Sequence, residues 1–162
     1  MSMKGISVLR ISKNALEFIS LMAMAAVFVL FARIFQNYPA DKTYSIMLFG
    51  RGFTIEKITL FVLFAISGGT NAVLFVISRF PSLYKYPFKI TADNIEIQYH
   101  LAKIMLSILQ IFVSALFAVL FVNMYYNGVR NTASLPWETI ICFMVMFAGI
   151  IGAYLFLAHK YK

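Results

Sequence analysis

Cysteine and tryptophan each occur once in the 162 residues, histidine twice and proline four times. A single cysteine forbids an internal disulfide and any multi-cysteine metal site. Cys142 sits inside an apolar run, so it reads as a packed small hydrophobe. Neither His100 nor His159 has metal-ligand spacing to a second donor. Only six residues are acidic; Asp41, Glu56 and Glu138 fall in loops, and no two carboxylates are set together for acid–base work. There is no Gly-Lys-Ser/Thr phosphate loop, no Gly-x-Ser-x-Gly turn and no His-Glu-x-x-His helix. The expectation is no catalytic, cofactor-binding or metal-ligating residue, and no cofactor.

Charge is also scarce, at 12% of residues, about half the usual share. Apolar residues make up 62%, against roughly 45–50% in a soluble domain, and the mean hydropathy is +0.84. A small soluble protein has too much surface for its volume to hide that many apolar side chains. A soluble enzyme, a disordered chain and a nucleic-acid-binding domain are excluded, which leaves an integral membrane protein. The net charge of +8 fits this reading, because the basic residues flank apolar runs, where anionic headgroups favour them. The lipid bilayer is thus the expected partner, and nucleic acid is not.

Four apolar segments, about 15–35, 58–77, 101–125 and 139–158, each approach the ~20 residues an α-helix needs to cross the hydrocarbon. Backbone groups in lipid must be satisfied within their own segment, so helices are required. The expected fold is all-α: a single membrane domain over 1–162, built as a four-helix bundle. The first segment has a basic flank (Lys4, Arg10, Lys13) like a signal peptide. It is longer than a usual apolar signal region and lacks a small-residue cleavage site, so it reads as an uncleaved anchor.

Nine Lys and Arg fall on one side of these spans and five on the other. The excess predicts that both termini and the central loop are cytoplasmic. The first loop, about 36–57, is too short and too apolar for a free external domain and is expected on the membrane surface or between helices. In the central loop, Pro81 and Pro87 enforce an extended segment, and its many apolar residues predict docking against the helix ends. Thr91 is a plausible N-cap with Asp93 in the first turn. Nothing breaks the helix from there to Tyr125. At 1.5 Å per residue it measures roughly 50 Å, so a long third helix is predicted to extend into the cytoplasm.

Polar residues on this helix, Glu96, His100, Lys103, Ser107, Gln110 and Ser114, are spaced 4, 3, 4, 3 and 4 and form one stripe. Lipid offers their groups no partner, so the stripe should face other helices or water. Two readings are open, interhelical hydrogen bonding and a polar transport path. Glu96 and His100, one turn apart, are placed to pair. In the second span, Ser67-Gly68-Gly69-Thr70-Asn71 suggests either a broken helix with a midplane site or close packing against Ala148, Gly149, Gly152 and Ala153 of the fourth span. Asn71 needs a partner at that depth, and Gln110 matches it best. Glu17 lies near Lys13, and an ion pair between them is expected.

The central loop also carries an ordered set of residues: Arg79 and Pro81, then Tyr86-Pro87, Ile90-Thr91, Asn94, Gln98-Tyr99 and Leu101-Ala102. In this order they resemble a bacterial family of small integral membrane proteins with a domain of unknown function, also present in the N-terminal part of Sdp-type immunity and signalling proteins. The similarity extends over the first three spans. Lys85 stands where that family usually has Asn, and 43–52 lacks the family's external His and Asp. The resemblance implies a bacterial cytoplasmic (inner) membrane. It also implies contact with another membrane protein or a membrane-active peptide, as in immunity or envelope signalling. A small-molecule or ion transport component and a lipid-acting membrane enzyme are the alternatives.

Overall fold

The computed structural model describes residues 3–38, 44–48, 51–55, 57–80, 84–87, 89–130 and 137–161. In chain order these form helix α1 (Met3–Asn37), strands β1 (Tyr44–Leu48) and β2 (Arg51–Ile55), and helices α2 (Lys57–Arg79), α3 (Ile95–Arg130) and α4 (Trp137–Lys160). Four stretches, Asn14–Asn37, Ile58–Arg79, Ile95–Tyr126 and Ile140–Lys160, are long and apolar enough to cross a membrane. The chain is a multi-pass membrane protein, built among the described residues on four long helices. At 36 residues α3 is longer than the ~20 that one crossing requires.

The first loop departs from the all-α expectation. It contains a two-stranded antiparallel hairpin in which Tyr44 pairs with Ile55 and Leu48 with Arg51. The segment is rich in Tyr, Ile, Phe and Thr, which favour a pleated surface. Pairing the two strands satisfies backbone groups that an irregular loop near lipid would leave open.

Helix α3 is the hub. Helices α1 and α2 pack along it, α4 packs on it separately, and α4 hardly touches α1 or α2. The main core joins the C-terminal half of α1 to the start of α2 and the end of α3. It holds Val27, Phe31, Ile34 and Tyr38 with Leu60, Phe121 and Met124. The Phe31 ring stacks on Phe64 with centroids 4.0 Å apart and meets Phe121 at 5.6 Å. Beyond this core α1 and α2 diverge and make few contacts with each other. A groove of about 400 Å³ opens between them, lined by residues such as Met24, Phe28, Phe64, Ser67 and Asn71.

Many large apolar side chains are exposed, among them Phe18, Met22, Phe61, Ile141, Met144 and Phe156. Such a surface is expected where the solvent is lipid, which costs an apolar group nothing. None of the most apolar window of α4 is buried. Cys142, expected to be packed inside, is exposed on this helix. A thiol behaves as a small hydrophobe, so lipid suits it as well as a core would.

Candidate functional site

Helix α2 runs unbroken through Gly68 and Gly69, which removes the broken-helix reading. Neither glycine has a neighbour within 4 Å of where a Cβ would stand, and the same holds for Gly149 and Gly152 on α4. The expected packing of these two glycine faces against each other therefore does not occur within the chain. The faces point outward because α2 and α4 each pack on α3 and not on one another. Ser67 and Asn71, 2% and 1% exposed, instead turn toward α3.

There they meet the upper half of the polar stripe. Ser107, Gln110 and Ser114 are all buried. Gln110 Nε2 donates to the backbone carbonyl of Asn71 at 3.2 Å. The Ser114 hydroxyl donates to Asn71 Oδ1 at 3.3 Å, and Asn71 Nδ2 donates to the Ser67 carbonyl at 3.0 Å. The side chains satisfy one another and the backbone, as groups surrounded by hydrocarbon must. Lower on the stripe, Lys103 and His100 are half-buried and Glu96 is exposed. His100 Nε2 lies 3.7 Å from Glu96 Oε1. The expected partner of Glu17, Lys13, has its side chain outside the described residues.

The loop residues singled out by the family resemblance have separate structural roles. Arg79 holds its guanidinium 4.8 Å over the Phe75 ring, whereas Pro81 lies outside the described residues. The Tyr84 hydroxyl donates to the Ile77 carbonyl at 2.6 Å, tying the loop to the end of α2. Tyr86 stacks on Tyr99 of α3 with centroids 5.6 Å apart. These contacts hold residues 84–87 against the helix ends. Burial, followed by the neighbouring Tyr154, pushes the Tyr84 phenol up to about 12. Burial first, then the adjacent tyrosines, raises Tyr86 as well.

Asn94 and Gln98 are buried. Asn94 Oδ1 accepts from the Thr91 backbone N–H at 2.8 Å, and its Nδ2 donates to the Lys89 carbonyl at 3.2 Å. The Thr91 carbonyl accepts from the Ile95 N–H at 3.1 Å. Thr91 thus opens a turn just ahead of α3, which begins at Ile95 and not directly after Thr91 as expected, and Asn94 reaches back to Thr91 as the third residue of a capping box does. Gln98 Nε2 donates to the carbonyls of Ala158 at 2.9 Å and Tyr161 at 3.2 Å. Those carbonyls lie at the C-terminal end of α4, where the helix has no internal donors to offer. The sequence reading assigned Gln98 to the motif but missed this anchor. The signal lay in the four-residue spacing of Asn94, Gln98 and Ala102, which marks a second buried face of α3.

Among the described residues no group of three or more His, Cys, Asp or Glu is placed to hold a metal ion. Comparison with models of known protein families, with curated proteins and with solved structures gave no match.

Proposed function

We propose that this chain is a non-enzymatic protein of a bacterial cytoplasmic membrane. It acts by helix–helix contact with another membrane protein or a membrane-active peptide, as in immunity or envelope signalling. The supporting observation is the outward placement of its small residues. Ala65, Gly68, Gly69 and Ala72 on α2 are exposed, and so are Ala148, Gly149, Gly152 and Ala153 on α4. Each set contains two small-xxx-small pairs, the spacing that lets membrane helices approach closely. Among the described residues nothing lies within 4 Å of where a Cβ would stand on Gly68, Gly69, Gly149 or Gly152. The midplane polar groups favour the same reading, because they are bonded to one another. The groove beside them has mostly apolar walls and suits an acyl chain better than an ion.

The open space at the glycines gives a direct test. Gly149→Leu with Gly152→Leu should leave abundance and thermal stability unchanged while abolishing recovery of the membrane partner in mild detergent. Equal recovery by the double variant, at equal abundance, would overturn the reading. The accompanying orientation places both termini and the central loop in the cytoplasm, on the nine-to-five distribution of Lys and Arg. In a Cys142→Ser background, an impermeant thiol reagent applied from outside should label Asn131→Cys and spare Ser82→Cys. The reverse pattern would invert the topology.

A further inference from the structure

A second groove lies at the opposite end of the molecule from the aromatic core. Its volume is about 440 Å³, within the ~300–1,000 Å³ of small-molecule sites. It exists because α2 and α4 both pack on α3 but not on each other. Ala102 and Leu106 of α3 form the floor, Ile77 one wall and Ile151 the other. Ala102 is only 1% exposed, and its small side chain keeps the floor low. The polar side chains are Tyr84 and Lys85 on the loop and Tyr154 on α4.

We infer that this groove binds one anionic phospholipid from the surrounding leaflet, with the phosphate at Lys85 and an acyl chain lying between α2 and α4.

Depth supports this assignment. Asn71 and Gln110 mark mid-span, and eight residues of α2 separate Asn71 from Arg79, or ~12 Å at 1.5 Å each. The hydrocarbon edge lies ~15 Å from the midplane. The end of α2 is therefore close to headgroup level, and Lys85 lies beside that end because its neighbour Tyr84 is bonded to the Ile77 carbonyl, while the floor residues lie in the acyl region. Tyr84 and Tyr154 are amphipathic aromatics suited to that boundary.

Charge selects the headgroup. Among the described residues no carboxylate lines the groove. Lys85 is the one charged side chain among its described lining residues. A lysine ammonium serves a phosphate as a point charge. The loop carrying it is held in place by the Tyr84–Ile77 hydrogen bond and the Tyr86–Tyr99 stack. The Tyr84 hydroxyl is already donated to a carbonyl, which leaves Lys85 to meet the phosphate.

The test uses the full chain in dodecyl maltoside, offered equal amounts of phosphatidylglycerol and phosphatidylcholine with identical chains and read by native mass spectrometry. One phosphatidylglycerol should be retained in preference to phosphatidylcholine. Lys85→Gln should lower that preference about fivefold, the factor equivalent to the ~1 kcal/mol of one lysine near an anionic surface. Lys85→Arg should keep it. Lys89→Gln, which removes the same charge outside the groove, should leave it unchanged. Met105→Trp, which fills the groove, should lower retention of both lipids, with folding checked by circular dichroism. Equal retention of the two lipids by the wild-type chain would overturn the assignment. So would an equal loss in Lys89→Gln, or displacement of the lipid by inorganic phosphate.

Discussion

Gln110 on α3 reaches α2 at the backbone of Asn71, not at its side chain: Gln110 Nε2 lies 3.2 Å from the Asn71 carbonyl oxygen. The Asn71 amide is occupied elsewhere, accepting from Ser114 and donating to Ser67 one turn back on its own helix. A helical carbonyl has a second lone pair beyond its helical bond, and Gln110 uses it. The polar contact between α2 and α3 is thus two independent hydrogen bonds, only one of which depends on the identity of residue 71.

A double-mutant cycle in detergent unfolding should separate the two. Interhelical hydrogen bonds in membranes average ~0.6 kcal/mol, so Gln110→Leu should cost about that. Combined with Asn71→Leu it should be nearly additive, because the carbonyl remains. Asn71→Ala and Ser114→Ala should instead couple, since they share one bond. Strong coupling between positions 110 and 71 would contradict the geometry.

Gly68→Ala and Gly69→Ala should not destabilise the isolated chain. Each added Cβ meets open space, and alanine in a helix interior is favoured over glycine by up to ~1 kcal/mol. Unfolding midpoints equal to or above wild type are expected. A lower midpoint would mean that the glycine face packs against something within the chain.

Asn94→Ala should remove about 1 kcal/mol, the typical loss at a helix cap, because it orphans the Thr91 N–H and the Lys89 carbonyl together. Asn94→Asp should recover most of that loss. It keeps the acceptor for Thr91, and a negative charge in the first turn complements the helix dipole. Amide exchange at the start of α3 would report both effects.

The docked loop should come loose in alkali. The Tyr84 phenol is raised from 10.0 to about 12, mainly by burial. Below pH 10 the phenol is neutral whether docked or free, and the full docking energy is present. Between pH 10 and about 12 the free phenol ionises while the docked one does not, so docking weakens as pH rises and is lost through the upper value. Ultraviolet titration should show a late-ionising tyrosine that is absent in Tyr84→Phe. Amide exchange over residues 84–87 should rise over the same interval, and a Tyr84 that titrates like a free phenol would refute the docking.

The sequence by itself determined the number of spans and their approximate limits, because run length against bilayer thickness is a one-dimensional quantity. It also determined that Ser107, Gln110 and Ser114 turn inward and that Asn71 is matched to Gln110 in depth, since lipid supplies no hydrogen bonds. The turn from Thr91 to Asn94 that leads into α3 was readable from local chemistry, although the helix itself begins at Ile95. Only the tertiary structure decided which apolar faces meet. In water, hydrophobicity distinguishes the inside of a helix from the outside; in lipid both faces are apolar, and only polar positions carry an orientation signal. Helix α4 has almost none across its middle, so the outward turn of Gly149, Gly152 and Cys142 was not legible. Nor was its anchoring by Gln98, because the acceptors, the Ala158 and Tyr161 carbonyls, are backbone groups that every residue carries.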